Sequence, residues 1–244
     1  MSYESDILRD WYLLFHFGSH SEILEGVGFD SSSLPPGSLD FPKATVAAAG
    51  SLSGVGRALD IGCAVGRSSF ELSREVDEVI GIDFSASFVG VGEEIRTGSE
   101  PGYRRFSEMH RWDLLHATLP SGSRAGCVSF EQGDAMSLRE DLGQFDLVHA
   151  ANLLCRLPEP TKFLDRLPSL VVPGGKLVLA TPATWLSEYT PKERQPIGPT
   201  LDFLTEHLGD AFAMESVVEL PFLIREHQRK LQLSTAQTSV WNRL

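Results

Sequence analysis

The 244-residue chain carries 33 acidic and 21 basic side chains, a formal net charge of −12. That balance argues against nucleic-acid and anionic membrane surfaces as partners, because both are themselves negative, and makes a small-molecule substrate the better expectation. The three cysteines, Cys63, Cys127 and Cys155, are too scattered for a disulfide framework or a metal site with paired C-x-x-C spacing, so they read as cytosolic thiols.

The N-terminus, "MSYESDILRDWYLLFHFGSH", has acids where a signal peptide has lysine or arginine, and no apolar run approaches the ~20 residues of a membrane span. A soluble, cytoplasmic protein is expected. "SDILRDWYLLFHFG" reads as an amphipathic helix, and the Pro/Gly/Ser-rich "FDSSSLPPGS" after it as a linker. Residues 1–50 are therefore expected to form a helical lid, and residues 51–244 one domain.

Within that domain, apolar β-rich runs recur at Arg57 to Ile61, Glu78 to Asp83, Cys127 to Gln132, Phe145 to Ala151 and Lys176 to Thr181. Helix-length amphipathic segments lie between several of them: Arg67 to Val76, Ser85 to Arg96 and Thr161 to Val171. Strands buried on both faces and alternating with helices predict a parallel sheet in an α/β sandwich. Residues 98–126 break the alternation as a polar insertion, and Pro182 to Pro199, with Trp185 and Tyr189, follows the fifth strand as a loop. Two further strands, Ala213 to Leu220 and Thr235 to Arg243, are expected to pair antiparallel at the sheet's edge, with "FLIREHQRK" between them.

The chemistry concentrates at the strand ends, where open α/β sheets bind ligands. "ALDIGCAVGRSSFEL" is a strand, a glycine-bearing turn and a helix start. Its order Asp60-Ile-Gly62-Cys-Ala-Val-Gly66 lacks the G-x-G-x-x-G of a pyrophosphate site, and its leading acid, Asp60, suits a ligand's ammonium rather than phosphates. Asp83 ends the second strand, where a carboxylate accepts from a ribose diol. Asp134 lies just past the third, in reach of an adenine amino group, and Asn152 just past the fourth.

On these residues the sequence resembles the class I S-adenosylmethionine-dependent methyltransferases. More narrowly, it resembles the methyltransferases of ovothiol biosynthesis, which methylate an imidazole nitrogen of 5-thiohistidine and usually sit behind a sulfoxide synthase. The likeness runs nearly end to end, through "YLLFHFG", "LDFP", "ALDIGCAVGRSSFEL", "EVIGIDFSASF", "QGDAMSL", "ANLLCRLPEPTKFL", "PGGKLVLATPATWLSEYTPKE" and "LPFLIREHQRKLQ". It implies a Rossmann-like sandwich with a mostly parallel seven-stranded sheet and an antiparallel edge strand. The implied cofactor is S-adenosyl-L-methionine. Gly62, Cys63, Ala64 and Gly66 would line its methionine end, Asp83 and Phe84 the ribose and adenine, and Asp134 and Ala135 the adenine. Asn152 and Leu153 would lie beside the sulfonium. The implied acceptor is 5-thiohistidine, with a functional pairing to the sulfoxide synthase.

Methyl transfer from a sulfonium requires an acceptor held about 3 Å from the methyl carbon and in line with the breaking bond. A neutral imidazole nitrogen is already nucleophilic near neutral pH, so positioning groups are expected rather than a general base. Asn152, Tyr12 and His16 are the candidates. For the acceptor's carboxylate and ammonium, the adjacent charges Arg225 and Glu226 form a candidate clamp; an edge-strand surface ion pair is the bland alternative. Trp185 and Tyr189 are candidates to stack on the imidazole, or simply to pin their loop. Arg67, which gains nothing from the helix dipole, is a candidate for a ligand contact. Cys63 reads as a small wall residue rather than a nucleophile, because no Cys-His pairing is legible around it. Other readings of the same motifs are a methyltransferase for another small metabolite, a non-catalytic cofactor-binding partner of the synthase and, most weakly, a nicotinamide dehydrogenase.

Overall fold

The computed structural model describes residues 4–244. Helix α1 (Asp6–Phe17) begins where the Ser5 hydroxyl accepts from the Leu8 amide, and stops at Gly18. A short α2 (His20–Leu24) is closed by a capping box between Ser19 and Glu22, and α3 (Phe41–Ala47) has Pro42 in its first turn, where the missing N–H costs nothing. Leu13, Leu14 and Phe15 of α1 and Phe41 and Val46 of α3 are all buried. The N-terminal segment thus packs into the core rather than lying loosely over it.

The expected alternation follows: β1 (Arg57–Ile61), α4 (Arg67–Leu72), β2 (Glu78–Asp83), α5 (Ala86–Arg96), the hairpin strands β3 (Gly102–Glu108) and β4 (Arg111–His116), then β5 (Val128–Gln132), β6 (Phe145–Ala151), α6 (Pro160–Leu170), β7 (Val171–Thr181), α7 (Thr200–Leu208), β8 (Phe212–His227) and β9 (Lys230–Arg243). Seven strands make one sheet in the order β5-β2-β1-β6-β7-β9-β8. β5, β2, β1, β6 and β7 pair in parallel, and β9 runs antiparallel to both β7 and β8.

Alternate strand residues feed two separate cores. Ala58, Val79, Leu147 and Val178 pack with α1, α4 and α5, whereas Leu59, Ile80, Val148 and Leu177 pack with α6 and α7. From β1 the chain steps outward to β2 and β5, then returns to place β6 on β1's other side. The crevice at that reversal, outside the carboxyl ends of β1 and β6, is where such sheets take ligands.

Three details differ from the expectation. The polar insertion is a two-stranded hairpin, because Tyr103 and Phe106 bury one face of β3 while β4 stays in water. Its Arg104 pairs with buried Asp10 of α1 at 2.5 Å. β8 and β9 are longer than the two predicted strands and absorb "FLIREH", since the adjacent Phe222 and Leu223 are both buried, on opposite faces, and hide the usual in-out alternation. α4 stops at Leu72, where the Ser73 hydroxyl folds back on the Phe70 carbonyl at 2.8 Å.

Candidate functional site

A cavity of about 470 Å³ opens at the carboxyl ends of β1, β2, β5 and β6, with α1 and α3 along one side. Its floor is the turn after β1. Gly62 and Gly66 hold φ of 74° and 89°, in the left-handed region that glycine enters freely. A Cβ on Gly62 would stand 3.1 Å from Leu153, and one on Gly66 would stand 2.5 Å from the Phe130 ring. Gly62 lines the cavity; Gly66 does not, and its service is to make room for Phe130 at the start of α4.

The amides of Gly62 and Cys63 both donate to the Ile82 carbonyl, at 2.7 and 3.1 Å, and the Ala64 amide donates to Asp83 Oδ2 at 2.9 Å. These donors tie β1's turn to β2's end, so none of the three is offered to a phosphate. The Cys63 thiol is buried, and burial followed by the charges of Asp83 and Asp60 pushes its pKa well up, which leaves it a protonated wall residue.

One end of the cavity is built from β2 and β5. Asp83 accepts from the amides of Ala64 and Ser85, both at 2.9 Å, and each carboxylate oxygen keeps a lone pair for a hydroxyl. Burial pushes the Asp83 carboxyl above its ordinary value, against the pull of those backbone bonds. Phe84 beside it is 72% exposed, an apolar face standing at the cavity edge. Asp134 is fixed by the Met136 amide at 2.9 Å, and Ala135 and Met136 complete that wall.

Between the two ends, Asp60 of β1 and His149 of β6 are register partners. His149 Nδ1 lies 2.8 Å from Asp60 Oδ1, and the Ser69 hydroxyl donates to Asp60 Oδ2 at 2.7 Å. Both residues line the cavity and are 1% exposed, and His149 Nε2 has no hydrogen-bond partner among the described residues. Asn152 follows at φ 56°, held by its amide on the Ala180 carbonyl at 2.7 Å, and its buried Oδ1 is likewise without a partner. Buried polar groups in folded proteins are almost always satisfied. An orphan acceptor beside an acid, His149 Nε2 next to Asp60, fits a ligand carrying an ammonium, as the methionine end of S-adenosyl-L-methionine does.

The other end is aromatic. Tyr12, Phe15 and His16 of α1, Phe41 of α3, and Tyr189 after β7 line it, with Leu153, Leu157 and Ile224. His16 turns part of its ring to the cavity while its Nδ1 is sealed off and unpartnered. Burial first, and then the Arg67 charge, lower its pKa to about 3, so it is a neutral imidazole at physiological pH.

Several predicted site residues lie elsewhere. Arg67 does not line the cavity: it pairs with Glu71 at 2.7 Å and donates to the His16 carbonyl at 3.0 Å, fixing α1 on α4. Trp185 does not line the cavity: it packs against Phe203 and its indole N–H donates to Thr200 Oγ1 at 2.9 Å, so it pins the loop to α7. Arg225, 3% exposed, faces away from the cavity and donates to the carbonyls of Ile23 and Glu25, both at 2.8 Å, and of Phe106 at 3.2 Å. Glu226 pairs with Lys230 at 2.7 Å on the other side of the strand. The expected Arg225–Glu226 clamp is therefore not at the site, because neither residue lines the cavity and each charge is spent on other partners. Two ionisable cavity residues escaped the sequence reading, His149 and Arg156. His149 sits inside an apolar strand pattern. Arg156 lies one turn beyond Asn152, in the 3-10 turn Leu154–Arg156, where "LCRL" reads as ordinary helix or loop.

A sequence-family profile described as "Methyltransferase domain" matches residues 40–228. A demethylmenaquinone methyltransferase of Staphylococcus saprophyticus is 30% identical over 125 residues, 50% of this chain and 42% of that protein. A ubiquinone biosynthesis O-methyltransferase of Xanthomonas axonopodis pv. citri is 29% identical over 150 residues, 61% of this chain and 50% of that protein. The chain spans about half the length of the curated relatives it matches. Among solved structures, the N-methyltransferase NodS of Bradyrhizobium japonicum WM9 in complex with S-adenosyl-L-homocysteine aligns at a TM-score of 0.57 with 16% identity, covering 92% of this chain and 97% of that one. Magnesium protoporphyrin IX methyltransferase of Synechocystis PCC 6803 aligns at 0.51 with 21% identity, covering 84% and 81%. At such identities the likeness carries the fold. With the profile spanning most of the sequence and the fold agreeing, the chain belongs to the methyltransferase domain family, with a class I Rossmann-like fold and S-adenosyl-L-methionine as its cofactor.

Proposed function

We propose that the protein transfers a methyl group from S-adenosyl-L-methionine to an imidazole nitrogen of 5-thiohistidine. The observation that carries the reading is the acceptor end of the cavity, where aromatic walls from Tyr12, Phe15, Phe41 and Tyr189 stand with the neutral His16 ring and with Asn152, whose buried Oδ1 has no partner among the described residues. Such a chamber suits a small flat heteroaromatic ring that brings its own donors and acceptors. The near end-to-end resemblance to the ovothiol methyltransferases names the ring.

The cofactor supplies the activated methyl carbon. Asp60 and His149 hold the amino-acid end, Asp83 the ribose and Asp134 the adenine. His16, kept neutral by its surroundings, and Asn152 orient the acceptor nitrogen without removing a proton from it. Tyr12 and Phe15 exclude water from the reacting pair. The same reading pairs the chain functionally with a sulfoxide synthase that delivers the thiolated histidine.

Incubation of pure protein with the cofactor and 5-thiohistidine, followed by mass spectrometry, tests the proposal. A product heavier by one methylene, with the label on the imidazole, supports it. No gain on 5-thiohistidine, with another member of a metabolite panel methylated instead, removes the substrate. Cofactor binding without turnover on any acceptor points to a binding subunit.

A further inference from the structure

Arg156 is the one permanently cationic side chain among the described residues that line the cavity. Its guanidinium carbon sits 4.8 Å from the centroid of the Tyr189 ring, and its Nη1 donates to the Thr184 carbonyl at 2.9 Å and, more weakly, to the Cys155 carbonyl at 3.4 Å. Stacking and tethering fix the plane of the group. The remaining edge, Nε and Nη2, makes no hydrogen bond, and no carboxylate among the described residues pairs with it. That edge presents two parallel N–H groups, the geometry that binds a carboxylate in bidentate fashion.

The neighbouring acids do not supply the missing partner. Asp60 is engaged by His149 and Ser69, Asp83 by two amides, and Asp134 by the Met136 amide. Strand order also separates the charges. Asp83 and Asp134 end β2 and β5 on one side of β1, whereas Arg156 follows β6 and meets Tyr189, which follows β7, on the other. A fixed arginine edge without a carboxylate partner among the described residues, on a side chain that lines the cavity, has the chemistry to take a ligand's anion.

We propose that Arg156 binds a carboxylate of the acceptor, so that the protein selects small heteroaromatic carboxylic acids over the same rings without the acid. The inference rests on the methyl-transfer reading for calling this the acceptor end. The other source of the same chemistry is the methionine carboxylate of the cofactor, and the experiment separates the two.

Protein saturated with S-adenosylhomocysteine is titrated calorimetrically with two probe pairs, histidine against histamine and 5-thiohistidine against 5-thiohistamine. The affinity for S-adenosylhomocysteine is measured separately. The expected result is that the wild type binds the acid of a pair about tenfold or more tighter than the amine. Arg156→Met should lose that preference, Arg156→Lys should keep part of it because a point charge replaces the fork, and all three should bind S-adenosylhomocysteine alike. Melting temperatures verify that the variants fold. Equal binding of acid and amine, or binding of neither, overturns the proposal. So does an Arg156→Met variant that loses affinity for S-adenosylhomocysteine, which assigns the arginine to the cofactor. Turnover is read independently: methylation of 5-thiohistamine as fast as 5-thiohistidine sinks the role of Arg156 and leaves methyl transfer standing. Carboxylate-selective binding with no methylation does the reverse.

Discussion

His149 Nδ1 and Asp60 Oδ1 meet at 2.8 Å across the β1–β6 register, at the point where the sheet's connections reverse direction. The pair is almost wholly buried, and Ser69 of α4 completes it from the other carboxylate oxygen. One hydrogen-bonded unit therefore joins two strands and a helix directly beneath the cavity. It fixes the spacing of the crevice that the ligand must enter, and it leaves only His149 Nε2 unsatisfied.

Replacing His149 with Phe should strip that support. Asp60 would keep Ser69 but lose its ring partner in a buried site, a loss of about 3 kcal/mol. The midpoint of urea unfolding measures it, and His149→Asn should recover part of the loss by restoring a donor. An unchanged midpoint in His149→Phe would show that the pair does not join the strands energetically.

The parts of the site that were legible in the sequence are those that strand ends dictate. Asp60, Asp83, Asp134 and Asn152 terminate or follow apolar runs, and a parallel sheet brings such termini together whatever the side chains. His149 was hidden because it takes a place in the pattern that a buried apolar residue also fills. Arg225 was misread for the opposite reason. Its adjacency to Glu226 looked like a clamp, but its partners, Ile23, Glu25 and Phe106, come from α2 and the hairpin, far away along the chain. Long-range docking of that kind leaves no local spacing to read. The hairpin itself was missed because few of its residues, chiefly Tyr103 and Phe106 with Leu115 partly buried, face the core, and its outer strand leaves Trp112 and Leu114 exposed, so no alternation is legible.

His16 should leave a signature in stability against pH. Its folded pKa of about 3 lies below the ordinary 6.5, so the unfolded chain binds the proton more readily. The contribution is fully present above pH 6.5 and is lost progressively as pH falls from 6.5 toward 3. In His16→Phe that part of the slope should vanish, read from denaturant midpoints taken across this range. Identical slopes in the two proteins would mean that water reaches the ring freely.

With Asp83 proposed to hold the ribose, cofactor affinity should depend on acid. Burial raises its pKa, so protonation begins at a higher pH than for an ordinary carboxyl near ~4, and a protonated Asp83 has one oxygen fewer to accept from a ribose hydroxyl. Affinity for S-adenosylhomocysteine should therefore fall as pH drops through that raised value. Asp83→Asn should bind about tenfold or more weakly at neutral pH and lose this pH dependence. Calorimetry at a series of pH values checks both; an asparagine variant with wild-type affinity would remove Asp83 from the ribose.

Arg225→Met separates architecture from recognition. Arg225 donates to three backbone carbonyls, two at the end of α2 and one on β3, and although burial lowers its pKa to about 10 it stays cationic at neutral pH. A methionine fills similar volume but leaves those carbonyls without their donor, a loss of about 3 kcal/mol that should appear as earlier unfolding. Hydrogen exchange should rise in α2 and in the β3–β4 hairpin, which Arg225 fastens to β8. The affinity for S-adenosylhomocysteine should stay within about twofold of wild type, because no atom of Arg225 lines the cavity. A variant that kept its stability and instead bound the acceptor poorly would return Arg225 to the site and contradict the role that its hydrogen bonds define.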